Sequence, residues 1–209
     1  MISLRVELSN LAATQRLGTI IAHHLRAGDR LLLIGEIGSG KTTLARAIGA
    51  ALHADPPLTS PTFLLVSEHQ GALPIWHADA YRLPPGSDPL AAGLIDERHA
   101  AGVTIVEWPE QVRWPLQSDG PSHVQVELTP GSHGDARSAT LRLGDVERAT
   151  SLHREILVAG IEVADGSLPE CLDPRRIAWT WVCGAPCVKW SAEGGPRGGR
   201  LWRAAAQPP

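Results

Sequence analysis

No apolar run in this 209-residue sequence approaches the roughly 18 residues that a helix needs to cross a bilayer. A membrane span is therefore not expected. Nor does the N-terminus carry a targeting pattern, because Met1-Ile2-Ser3-Leu4-Arg5 runs straight into charged, alternating residues. Cysteine is scarce: the three residues Cys171, Cys183 and Cys187 all fall late in the chain and make no disulfide framework. A reduced, cytoplasmic setting is the expectation. A strong charge of one sign is also lacking. The formal net charge of −3 exerts no global pull on nucleic acid, so contact with RNA needs a local patch or a partner protein. What is present, 43% hydrophobic and 20% charged residues, can bury one good core with an appendage.

Against that background one stretch stands out. Gly35-Glu36-Ile37-Gly38-Ser39-Gly40-Lys41-Thr42 matches G-x-x-x-x-G-K-S/T, the phosphate-binding P-loop. Leu31-Leu32-Leu33-Ile34 before it is a short apolar run that reads as a buried parallel strand. Thr43, Leu44, Ala45, Ala47, Ile48, Ala51 and Leu52 after it supply an amphipathic helix. A Gly-rich turn between strand and helix lets backbone N–H groups converge on phosphate oxygens, with the positive end of the helix dipole behind them. In that arrangement Lys41 reaches the β- and γ-phosphates and the Thr42 hydroxyl ligates Mg²⁺. A tight glycine turn with a chance lysine would not need those flanks. The expected ligand is ATP with Mg²⁺.

The rest of the chain fits an α/β reading. Ile2, Leu4, Val6 and Leu8 alternate with polar residues as a strand does, and Ser9 or Asn10 can cap the helix that follows. Leu11, Leu17, Ile20, Ile21 and Leu25 share a face of that helix, which ends at Gly28-Asp29. A strand and a helix ahead of the P-loop strand place the nucleotide strand away from the sheet edge. Thr14 either reaches the adenine or is an ordinary polar helix residue. His53 to Thr62 is rich in Pro, Ser and Thr and reads as a loop. Ser60 and Thr62 are either hydroxyl contacts for the γ-phosphate side or part of a Ser-Pro turn that starts the next strand.

Phe63–His69 and Leu73–Asp79 flank Gln70-Gly71-Ala72 as a hairpin, with Pro74 marking a sheet edge or the start of a strand. Alternation puts His77, Asp79 and Tyr81 on one side and Ala78, Ala80 and Arg82 on the other. Asp79, at a strand's C-terminal end, is a candidate for positioning the attacking water or a metal-bound water. His77-x-Asp79 has no third ligand at a recognisable spacing and is set aside as a metal site. One or two short helices, broken near Gly93, are expected over 88–101. Val103–Val106 reads as a strand ending on Glu107, where a Walker B-type carboxylate belongs. Trp108 is either a wall of the nucleotide pocket or core packing. Two alternating strands, 123–128 and 139–143, complete a domain near Gly144, with Arg137 in the Gly-rich connection between them.

The P-loop, Thr59-Ser60-Pro61-Thr62-Phe63, His77-x-Asp79-x-Tyr81-Arg82 and Val106-Glu107-Trp108-Pro109-Glu110 together resemble the TsaE family. That family is the ATPase of bacterial tRNA threonylcarbamoyladenosine biosynthesis, and the likeness covers about residues 1–145. It implies a P-loop NTPase-like mixed sheet flanked by helices. It also implies a cytoplasmic, Mg²⁺-dependent ATPase working with the TsaB–TsaD pair, which installs threonylcarbamoyl on the adenosine beside the anticodon. The ATPase does not itself transfer the group, and tRNA is met through the complex. Carried over by motif, residues Gly35, Glu36, Ile37, Gly38, Ser39, Gly40, Lys41, Thr42 and Thr43 hold the nucleotide. Thr42 and Glu107 hold Mg²⁺, Asp79 is the water-activating or metal-shell carboxylate, and Lys41 and Glu107 share the catalytic role. Trp108 lies by the site, Ser60-Pro61-Thr62 is a switch-like loop, and Thr14 lies near adenine. Glu36 stands where the family usually has aspartate. Arg82 is the candidate arginine in cis; otherwise a partner completes the site.

The last sixty or so residues lie outside the resemblance. Residues 146–174 read as an accessory element, with a helix or strand pattern over Ser151–Ala164. Residues 175–209, where Trp179, Trp181, Trp190 and Trp202 stand among Gly, Pro, Arg and Cys, read as a poorly ordered tail. Cys183-Gly184-Ala185-Pro186-Cys187 lacks the second ligand pair of a zinc site. A partner-binding tail, a disordered extension and out-of-frame translation remain open. Two other functions compete: a small-molecule P-loop kinase, which would want an arginine-rich lid that 55–63 does not offer, and a nucleotide-dependent interaction module.

Overall fold

Alternation along β1, Ile2–Leu8, buries Ile2, Leu4, Val6 and Leu8 on one face and leaves Arg5 exposed on the other. Asn10 then caps α1, Leu11–His24, by accepting from the Ala13 N–H at 2.9 Å. The buried face of α1 runs through Ala13, Leu17, Ile20 and Ile21, whereas Leu11, expected on it, is exposed. The apolar run becomes β2, Arg30–Ile34, and the P-loop delivers the chain into α2, Lys41–Ala51. The remaining elements are β3 (Val66–His69), β4 (Ile75–Asp79), β5 (Val103–Glu107), β6 (His123–Pro130), β7 (Arg137–Leu143), α3 (Val146–Val158) and β8 (Glu162–Gly166). The computed structural model describes residues 1–61, 64–114 and 123–166.

The strands form one eight-stranded mixed sheet in the order β3-β4-β5-β2-β6-β7-β1-β8. β2 lies inside it, parallel to β5 and β6, and β4 runs parallel to β5. The other four pairings are antiparallel. In such sheets ligands bind outside the carboxyl ends of the parallel strands. Three of those ends, Ile34, Asp79 and Glu107, set the position of the site. The core beneath it joins Leu31, Leu33, Leu44, Ile48, Ile105 and Val126 to the buried faces of α1 and β1.

Two expectations are corrected. β3 begins at Val66, and Leu64 and Leu65, expected within it, form a turn instead, because their N–H groups both donate to the Pro61 carbonyl and Leu65 takes φ 65°. The turn consumes the start of the strand. Residues 88–94 form turns, not helices: Asp88 caps Ala91, and Gly93 at φ 73° ends the turn while Leu94 anchors it in the core. A single 3₁₀ turn, Glu97–Ala101, follows. Of the two readings of Pro74, the start of a strand is the one observed: it leads into the interior strand β4, its carbonyl accepting from the Val103 N–H.

The segment read as an accessory element packs on this body. β8 extends the sheet beside β1, and Ala149, Leu152 and Ile156 of α3 join the main core. α3 is locked on by a buried ion pair, Arg148 Nη1 to Asp29 Oδ2 at 2.7 Å. Burial pushes the Asp29 carboxyl above its ordinary value in spite of Arg148. Pairs of this kind are costly to break singly, because the surviving charge stays buried. Arg148→Ala is expected to lower stability by about 3–5 kcal/mol, measured as a lower urea midpoint. Thr62, Phe63 and residues 167–209, with the three cysteines and the four late tryptophans, lie outside the described residues.

Candidate active site

The P-loop is built on positive-φ glycines at the end of β2. Gly35 has φ 146° and packs so closely that a Cβ there would meet the Leu128 carbonyl oxygen at 2.4 Å. Gly40, at φ 107°, turns the chain into α2 with no side-chain cap, so the first N–H groups of the helix face the cleft. The cleft, about 410 Å³, is lined by Ile37, Gly38, Gly40, Lys41, Thr42, Thr43, Ser60, Asp79, Tyr81, Glu107, Trp108 and Arg137.

Lys41 is folded back onto the loop. Its ammonium donates to the carbonyls of Gly35 at 2.6 Å and Glu36 at 2.9 Å, and lies 3.8 Å from the centre of the Trp108 ring. Burial pushes Lys41 below its ordinary pKa, while Glu107, Glu110 and Asp79 favour its charged form. Trp108 itself adopts φ 59°, ψ 46° after β5, turning its indole into the cleft and against Tyr81, ring centres 4.9 Å apart. It is both pocket wall and packing, because it also rests on a small second core around Leu32, Ala78 and Val106.

The acidic side of the cleft comes from adjacent strand ends. Parallel pairing of β4 and β5 sets Asp79 opposite Glu107. Glu107, 3% exposed, accepts from the Thr42 hydroxyl at Oε2 (2.8 Å) and contacts His77 Nε2 at Oε1 (2.9 Å). Asp79 is buried at the cleft wall, and its Oδ1 accepts from the Tyr81 N–H at 3.0 Å. The sequence-derived residues Lys41, Thr42, Asp79, Glu107, Trp108 and Ser60 thus meet in one place. Glu36 and Ile37 are exposed on the loop, and Pro61 is buried beside Ser60.

Two candidates do not join them. Thr14 is buried in the first turn of α1, its hydroxyl directed to the Asn10 carbonyl at 3.5 Å, and does not line the cleft. Arg82 is exposed and also outside the lining. The arginine that does reach the P-loop is Arg137, at the start of β7. Its Nε donates to the Ser39 carbonyl at 3.0 Å and its Nη2 to the Gly38 carbonyl at 3.2 Å, while Nη1 is held by the Ala136 and Gly134 carbonyls. The sequence shows Arg137 only as part of a Gly-rich connection; its link to the loop spans 98 residues and carries no local signal.

These residues suit a nucleotide with Mg²⁺. Ser39 Oγ is buried in the loop with no hydrogen-bond partner among the described residues. A hydroxyl and two carboxylates supply the hard oxygen donors that Mg²⁺ prefers. Among the described residues no cluster of three or more His, Cys, Asp or Glu is arranged to hold a metal.

Fold and cleft together define a protein of the P-loop NTPase-like class. The family model "Threonylcarbamoyl adenosine biosynthesis protein TsaE" matches residues 8–138, and the chain belongs to the TsaE family. A relative from Nostoc sp. named tRNA threonylcarbamoyladenosine biosynthesis protein TsaE is 34% identical over 141 residues, 64% of this chain and 83% of the relative. The protein of the same name from Streptomyces coelicolor is 41% identical over 99 residues, covering 46% of this chain and 67% of that one. That from Mycobacterium bovis is 35% identical over 149 residues, covering 66% and 85%. Among solved structures, Bacillus subtilis YdiB superposes with a TM-score of 0.56 over 76% of this chain and 98% of its own, at 24% identity, a likeness of fold.

Proposed function

We propose that the cleft binds ATP with Mg²⁺ and hydrolyses it as the ATPase component of the assembly that forms threonylcarbamoyladenosine next to the anticodon of tRNA. In this reading the chain does not transfer the threonylcarbamoyl group. It works with the TsaB and TsaD proteins in the cytoplasm and meets tRNA through them. Among the described residues no helix is long and apolar enough to cross a membrane.

The observation that carries the reading is the contact between Thr42 and Glu107, 2.8 Å apart at the mouth of the P-loop. It joins the hydroxyl and the carboxylate that a Mg²⁺ site of this class needs, from elements 65 residues apart. Lys41 would exchange its two loop carbonyls for β- and γ-phosphate oxygens. The loop amides and the α2 N-terminus would hold the same oxygens from the other side. Asp79, on the neighbouring strand end, would orient the attacking water in line. A bound Mg²⁺ would neutralise charge on the phosphate oxygens as the terminal bond breaks. The test is phosphate release from ATP by the purified chain, alone and with the TsaB–TsaD pair. Slow release alone and faster release in the assembly supports the reading; no release in either condition opposes it.

Arg137 gives a separate prediction. Its guanidinium braces the loop from outside at Gly38 and Ser39 and lies on the cleft wall. Arg137→Ala removes the brace and a positive charge beside the phosphates. A charge-assisted hydrogen bond is worth about 1.5–3 kcal/mol, so nucleotide affinity is expected to fall about tenfold or more. Titration with a fluorescent ADP analogue measures it.

A further inference from the structure

β4 is buried at all five positions, yet its central residue is a histidine. His77 is 0% exposed. Its Nε2 lies 2.9 Å from Glu107 Oε1, and no hydrogen-bond partner reaches its Nδ1 among the described residues. An ionised carboxylate only accepts, so the proton of this contact sits on His77 Nε2. The two oxygens of Glu107 are therefore divided: Oε1 takes the imidazole N–H, and Oε2 takes the Thr42 hydroxyl at 2.8 Å.

The terminal torsion of a glutamate is soft, and the backbone of β5 alone does not fix the plane of its carboxylate. The positive Lys41 nearby offers a competing partner, since its ammonium is attracted to Glu107, Glu110 and Asp79 alike. His77 meets Glu107 from the neighbouring strand and is not itself part of the cleft lining. A buried histidine whose second nitrogen goes unpaired is a poor choice for packing alone, because burying an unsatisfied polar atom costs free energy.

We infer that His77 is a positioning residue for the metal-binding carboxylate: its Nε2–H pins Glu107 Oε1 and so presents Oε2 to Thr42 and to Mg²⁺. This rests on the reading that Thr42 and Glu107 hold Mg²⁺ with a nucleotide. Outer partners of this kind commonly change metal affinity by about 10–100-fold when removed.

The test is the Mg²⁺ concentration that gives half-maximal tightening of a fluorescent ADP analogue, with EDTA as the metal-free reference. Three variants separate positioning from packing. His77→Leu fills the space without a donor, His77→Gln keeps an amide N–H near the Nε2 position, and His77→Asn carries one that stops short. Thermal melts and circular dichroism check the fold of each. His77→Leu and His77→Asn are expected to raise the Mg²⁺ midpoint about tenfold or more while changing the affinity in EDTA far less. His77→Gln is expected to recover most of the wild-type midpoint. Midpoints within twofold of wild type for folded His77→Leu overturn the inference, as do equal shifts for the Gln and Asn variants. If His77→Leu does not fold, the Gln and Asn pair decides. A wild-type protein that binds the nucleotide with no Mg²⁺ dependence defeats the metal reading itself, and the inference with it.

Discussion

Lys41→Ala is expected to abolish nucleotide binding at concentrations that saturate the wild-type protein. The side chain is nearly buried, and both of its hydrogen bonds and its ring contact lie inside the loop and cleft. In the bound state those donors would serve two phosphate groups in a partly desolvated cleft, where a charge-assisted hydrogen bond contributes about 1.5–3 kcal/mol. Losing two of them weakens binding by about 100-fold or more, since each 1.4 kcal/mol is about tenfold. Alanine is the best helix former, so the first turn of α2 should survive. The expected signature is a melting temperature near that of wild type that no longer rises with added ATP. A variant that still gains stability with ATP would place the phosphates elsewhere.

Asp79→Asn should divide binding from chemistry. The substitution keeps the size of the side chain and an oxygen to accept from the Tyr81 N–H. It removes the negative charge and the basicity that would align and deprotonate water. Groups acting this way contribute about 10²–10⁴ in rate. Phosphate release is expected to fall by about 100-fold or more, with nucleotide affinity changed only a few-fold. Single-turnover phosphate release and an ADP-analogue titration on the same preparation measure the two quantities. A loss of affinity as large as the loss of rate would make Asp79 a binding residue.

Most of what was legible in the sequence was local. The P-loop, β1 and β2 are written in short-range periodicity and glycine spacing, and Asp79 and Glu107 could be found because each ends a readable strand. Their meeting follows from the register of β4 on β5, which no single stretch encodes. The residues that were missed act over longer separations. Arg137 reaches the P-loop across 98 residues and His77 reaches Glu107 across 30, although His77 was visible as half of a His-x-Asp pair. Arg82, at the end of the His77-x-Asp79-x-Tyr81-Arg82 motif, was the arginine the sequence offered, and it is exposed outside the cleft lining. The docking of α3 was hidden for the same reason: the Asp29–Arg148 pair that fastens it spans 119 residues, and the charged, weakly apolar sequence of α3 gives little sign of it. The turn at Leu64–Leu65 shortened β3 through a carbonyl, Pro61, that lies outside the apolar pattern.

The central claim is that this cleft consumes ATP on behalf of tRNA modification, and one reaction tests it most directly. The purified chain is combined with TsaB, TsaD, tRNA, ATP and the threonylcarbamoyl donor. Released phosphate and modified adenosine are counted together over many turnovers, with wild type and with Asp79→Asn. The account predicts sustained formation of threonylcarbamoyladenosine with matching phosphate release for wild type, and at most about one modified tRNA per assembly for the variant. Equal, sustained modification by both proteins would contradict it.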